Sequence, residues 1–193
     1  MGKRVGLGAL CALLLVTGEA GAGLLPIHVA ITPEGNDFRY TYSVLLQSDA
    51  VLKPGDYFTI FDFAGLVSGT NNQPGSFTFS TDATGPVPTG VVPNDDPALP
   101  NLTWRYTGTD ASLVGQLGLG DFSVVSQYDD THDDHFTGQT HRVVDGHLDS
   151  NITDTQVPVP ESHHCGAAEP SSLLLLLFGI PVALGFRVLR RRP

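Results

Sequence analysis

Cysteine is scarce: the 193 residues hold only Cys11 and Cys165. Cys11 lies inside an N-terminal apolar run and follows Leu10 rather than a small residue, which argues against a lipoprotein signal. Loss of that run leaves Cys165 alone, so no internal disulfide can form even in an oxidising compartment. Stability must then come from a hydrophobic core. Positive charge is the second shortage. Six of the ten basic residues sit at the chain ends, leaving Arg39, Lys53, Arg105 and Arg142 against nineteen carboxylates between them, a formal charge near −15. Such a surface repels phosphate backbones and anionic lipid, which excludes nucleic acid as the expected partner. Catalytic signatures are missing too. There is no Gly-x-Ser-x-Gly elbow and no His-Glu-x-x-His helix, and no enzymatic activity is expected. The sequence shows no repeat of solenoid period.

The N-terminus is richer. Lys3 and Arg4 precede the apolar stretch 5–16, which gives way to small residues through Gly23, the shape of a secretory signal peptide over 1–22. Ala20-Gly21-Ala22 satisfies the small-x-small rule, so cleavage is expected after Ala22, with the bond after Ala20 as the second choice. A domain of about 145 residues follows, enough for one sizeable core.

At the other end, Glu169-Pro170-Ser171-Ser172 leads into the apolar run 173–186 and then Arg187, Arg190, Arg191 and Arg192. The run is about 14 residues against the roughly 20 of a comfortable span, and snorkelling arginines over 171–189 make spanning feasible. The arginines keep the tail's end cytoplasmic and put the preceding domain outside. The ordered trio of Glu-Pro motif, short Leu-rich helix and arginine cluster resembles the PEP-CTERM sorting signal, although Ala168 stands where that family's first proline is expected. The resemblance covers the last 25 residues or so. It implies that Glu169, Pro170, Arg190, Arg191 and Arg192 form a signal read by an exosortase-type enzyme, for which this chain is a substrate. It also implies inner-membrane anchoring and delivery to the cell surface or the extracellular polysaccharide matrix. Phrases such as 101–108 and 119–123 are similar to β-rich exported passengers of that family.

Between the two ends, β-branched and aromatic runs alternate with Gly, Pro, Asn and Asp, and helix signals are nearly absent. Strands are expected at 27–32, 38–47, 57–63, 76–80, 102–106, 121–128, 135–144 and 147–157, about eight or nine in all. Strand 57–63 carries apolar residues on both faces and belongs mid-sheet. Lys53-Pro54-Gly55-Asp56 reads as a turn, Gly118 to Gly120 as another, and the five prolines between 86 and 100 as an irregular connection. Trp104 is a core anchor, with ligand stacking as its alternative. The expected fold is all-β: an antiparallel sandwich or jelly roll over 23–158, flanked by a signal-peptide helix, a linker at 159–168 and a transmembrane sorting segment at 169–193.

Polar clusters offer weaker chemistry. Asp129, Asp130, Asp133 and Asp134 supply hard oxygens that could hold Ca²⁺, but the spacing fails the EF-hand pattern and a solvated loop is the simpler expectation. His132, His135, His141 and His147 invite a metal reading, yet two histidines six residues apart on one strand stand about 20 Å apart. His163-His164-Cys165 falls in the linker. Asn101-Leu102-Thr103 and Asn151-Ile152-Thr153 match the glycosylation sequon by chance. The function expected is structural or adhesive at the cell surface. A carbohydrate-active hydrolase and a calcium-stabilised adhesin are the alternatives.

Overall fold

A computed structural model of the chain describes residues 23–109 and 116–160. The expected signal peptide, the His163-His164-Cys165 triplet, all but the first two linker residues and the whole sorting segment lie outside the described residues.

The described residues hold ten strands and no helix. They are β1 (Leu24–Glu34), β2 (Asp37–Leu46), β3 (Ala50–Val51), β4 (Tyr57–Ile60), β5 (Leu66–Asn72), β6 (Phe77–Asp82), β7 (Asn101–Tyr106), β8 (Leu117–Ser126), β9 (Thr131–Arg142) and β10 (Leu148–Pro158). Every pairing is antiparallel. One sheet runs β1-β2-β8-β5 and the other β10-β9-β4-β7-β6, with β3 paired to β9.

Period-two patterning explains how the sheets meet. Along β2, Tyr40, Tyr42, Val44 and Leu46 are buried while Arg39, Thr41 and Ser43 are only half covered. Those buried side chains share one core with Phe58 and Ile60 of β4, Leu102 and Trp104 of β7, and Phe136 of β9. Phe122 of β8 ties the sheets together. Its ring meets Phe58 at 4.9 Å and Phe77 at 4.8 Å edge to face, and lies 5.8 Å from Trp104. Trp104 is fully buried and stacks on Phe58 at 5.2 Å, which makes it a core anchor and removes the ligand-stacking alternative.

The turn at Lys53 is as expected: the Asp56 N–H donates to the Lys53 carbonyl at 2.9 Å, and Gly55 takes φ +101°. β4 does lie mid-sheet, between β9 and β7. Four expectations need correction. Gly118 and Gly120 do not turn the chain; they lie within β8, where the register slips opposite Val44 and Leu45 and Gly120 at φ +99° absorbs the bulge. β5 has no counterpart among the expected strands, because Ser68-Gly69-Thr70-Asn71 reads as a loop; it is a bulged edge strand paired only at Leu66, Val67 and Asn72. The two-residue β3 is too short to show a pattern. β9 begins at Thr131, so the acidic stretch is mostly strand rather than loop, held by continuous pairing with β10 from His141 back to Thr131.

Residues 83–100 contain no strand or helix and cover the outer face of the six-stranded sheet. A Cβ at Gly85 would stand 2.7 Å from Thr59 Cγ2, and Thr59 Oγ1 donates to the Pro86 carbonyl at 3.3 Å. Phe61 is fully buried yet stands apart from the shared core, which fits the two-sided covering expected for this stretch.

Candidate functional site

The strap formed by 83–100 is fastened where β4 ends, at the one carboxyl among the described residues that is pushed well up, that of Asp62. Asp62 is the only non-glycine among the described residues with positive φ, at 54°. Aspartate tolerates this left-handed conformation when its short side chain and backbone find local partners. Here they do. The Asp62 N–H donates to Asn101 Oδ1 at 2.9 Å, and Asp62 Oδ1 accepts the Asp96 N–H at 2.9 Å. Asn101 Nδ2 donates to Asp95 Oδ1 at 2.8 Å, and the Asn94 N–H donates to His135 Nδ1 at 2.7 Å. Two strap N–H groups, those of Asn94 and Asp96, therefore end on titratable acceptors.

Asp62 is 4% exposed. Burial pushes its carboxyl up to about 6, and the neighbouring charges of Asp134, Asp95 and Asp96 push the same way against the Asp96 N–H bond. Such a group keeps a proton into mildly acidic solution, a property found often at functional sites. It anchors the strap with a strained backbone and an acid whose charge depends on pH.

The acidic residues singled out by sequence are not gathered in one place. Asp129 and Asp130 precede β9, while Asp133 and Asp134 are consecutive on it and so project to opposite sides. Asp134 engages His132 Nε2 at 3.1 Å and the His135 N–H at 2.6 Å. Among the described residues, no three His, Cys, Asp or Glu side chains are grouped to hold a metal ion. The histidines have separate partners: His141 Nδ1 meets Asp56 Oδ2 at 3.1 Å and His147 Nδ1 meets Asp145 Oδ2 at 3.2 Å. His135 and His141 do share a strand, six residues apart.

Both sequon asparagines are buried and fully used. Asn101 is 0% exposed and joins Asp62 to Asp95, and Asn151 is 7% exposed and pairs with Leu24 through both amide atoms. The folded domain offers neither to a glycosyl donor.

A second feature lies where the edge strands of the two sheets approach one another. An open trough of about 450 Å³ is bounded by Ile27 and His28 of β1 and by Asp133, Asp154 and Gln156 of β9 and β10. The register of β1 against β2 slips between Pro26 and His28, and Ile27 is 57% exposed there. Two carboxylates, an amide and an imidazole around a small apolar patch suit a hydroxyl-rich neutral or cationic ligand and disfavour an anion.

Neither feature is legible in the sequence. Asp62 looks like an ordinary polar residue in an apolar run, and only the pairing of β4 with β7 brings Asn101 to it. The trough depends on the approach of two edges 127 residues apart in sequence, as between Leu24 and Asn151. No protein-family model matches the chain, and no curated protein matches it.

Proposed function

We propose that the two sheets form an antiparallel β-sandwich of jelly-roll-like form, and that this domain is the exported passenger of a PEP-CTERM-type tail. In this reading the signal peptide directs export and the 171–189 helix holds the domain outside the inner membrane. An exosortase-type enzyme then acts on the tail, and the domain serves the cell surface or the polysaccharide matrix as a structural or adhesive, non-enzymatic component.

The observation that carries the reading is the fold of the described residues, ten strands paired antiparallel throughout in two sheets with no helix, which suits a β-rich exported passenger. The trough at the β1 and β10 edges supports a carbohydrate-associated role, because its polar groups suit hydroxyls.

Protease added to spheroplasts tests the reading. Digestion of the domain in intact spheroplasts is the expected outcome; a domain protected until the membrane is lysed rejects it.

A further inference from the structure

The trough between the two edge strands is lined by groups that the rest of the domain leaves unused. The edges are fastened at one end, where Asn151 holds both backbone groups of Leu24. Beyond that point β1 carries one residue too many. Pro26 stands opposite Val44 and His28 opposite Ser43, so Ile27 has no partner on β2 and is left exposed on the rim of the trough. On the facing side, Asp133 of β9 pairs directly with Gln156 of β10, and Asp154 lies two residues back along β10. The three share one face, with Asp133 and Asp154 at diagonal positions about 7–8 Å apart. Among the described residues, no ion pair reaches either carboxylate: Arg39 is taken by Glu34 and Arg142 by Asp145, and Arg105 donates to the Gly55 carbonyl. Thr155, between Asp154 and Gln156, also lines the trough. It is 6% exposed, and its hydroxyl has no hydrogen-bond partner. Buried hydroxyls are normally paired, so an orphan in the wall of a cavity marks a place for a ligand's polar atom.

We infer that the trough is a subsite for a cationic glycan: it takes a hexosamine unit whose ammonium sits between Asp133 and Asp154 and whose hydroxyls meet Gln156, His28 and Thr155. An ammonium carries three donors and no acceptor, which suits two carboxylates that find no cation within the domain. The Gln156 amide and the His28 imidazole each offer a donor and an acceptor to ring hydroxyls, and a turn about χ1 brings the Thr155 hydroxyl to the sugar. Ile27 gives the apolar C–H face of the ring a surface to lie on. A trough of about 450 Å³ is large enough for a sugar unit. A bare metal ion is served less well, because among the described residues no three ligating side chains are gathered. Glycans bearing phosphate or carboxylate are repelled. The inference deepens the carbohydrate-associated reading and rests on it; export and tail processing stand apart from it.

The test titrates the full chain, in mild detergent, with a β-1,4-linked glucosamine tetramer, with the glucose tetramer of the same linkage and with spermidine. At low ionic strength the glucosamine tetramer should bind about tenfold more tightly than either control, and added salt should erase most of that preference. Asp133→Asn combined with Asp154→Asn should bring the two tetramers to equal affinity, and both positions are exposed, so the fold is kept. Thr155→Val should weaken the glucosamine tetramer about threefold without lowering the melting temperature, because it removes a hydroxyl that no protein group uses. Equal binding of the two tetramers to wild type overturns the inference and leaves the carbohydrate-associated reading intact, whereas binding of neither overturns both. Spermidine bound as tightly as the glucosamine tetramer reduces the trough to a charged surface and overturns the inference. So do a preference that survives the double asparagine variant, and undiminished affinity or a lower melting temperature in Thr155→Val.

Discussion

The Tyr42 hydroxyl, on a strand of the four-stranded sheet, donates to the carbonyl oxygen of Gln156 on the edge strand of the other sheet at 2.9 Å. The ring is fully buried, and burial, aided by the nearby Tyr40, holds the phenol well above its ordinary range, so it stays a neutral donor at any physiological pH. Tyr42→Phe keeps the ring and removes the donor, leaving the Gln156 carbonyl without this bond. The expected cost is about 1–2 kcal/mol, read as a lower urea midpoint with unchanged slope. An unchanged midpoint would mean that water replaces the hydroxyl.

Phe122 is the side chain through which the four-stranded sheet touches three aromatic rings of the other sheet. Phe122→Ala opens a cavity at the meeting of the sheets and should cost about 3–5 kcal/mol, enough to unfold a marginal domain at 37 °C. Phe79→Ala, on the partly buried rim of the same core, should cost less. Thermal unfolding followed by near-ultraviolet dichroism ranks the two, and equal losses would contradict the placement of Phe122 at the centre.

How much of this is legible in the sequence follows from the range of the signal. Tyr40, Tyr42, Val44 and Leu46 announce a half-buried strand because the pattern is local, and Lys53 to Asp56 announces a turn because proline and glycine act on their own torsions. Leu66 to Asn72 does not announce β5, since an edge strand with few side chains in the core needs no apolar alternation. The same holds for Thr131 to Asp134, which are strand only because β10 pairs with them. The Asp62 cluster is hidden for a different reason. Its members come from the end of β4, the strap, β7 and β9, and no spacing within one element can show a meeting of four.

The Asp62 carboxyl gives the domain a pH dependence of definite sign. Its folded value of about 6 lies above the ordinary 3.8, so the fold favours the protonated form. The corresponding stability is fully present below about pH 4 and is lost as pH rises through about 6. An asparagine in place of Asp62 would keep an acceptor for the Asp96 N–H, tolerate the left-handed backbone and carry no charge at any pH. Asp62→Asn should therefore gain on wild type by about 1–2 kcal/mol between pH 4 and pH 7. Urea midpoints of both proteins across that range decide the matter, and parallel curves would remove Asp62 as the titrating group.

Processing at the tail should leave the domain's stability untouched. Among the described residues, the last contacts of β10 and its continuation are close to Pro160: the Ala64 N–H donates to the Pro158 carbonyl at 3.3 Å, and the Val159 N–H donates to the Asp130 carbonyl at 2.9 Å. Glu169 lies nine residues beyond Pro160 in sequence, so cutting near Glu169-Pro170 removes none of these bonds. The expected product from a native host ends near Ala168 or Glu169 and melts at the same temperature as the chain that retains its tail, to within about 1 °C. Replacing Arg190, Arg191 and Arg192 with alanine should raise the fraction that keeps its tail, because the arginine cluster is part of the sorting signal implied by the resemblance. Intact mass reads both outcomes. A wild-type product that retains Arg190 to Pro193 would instead make the chain a permanently anchored single-pass protein.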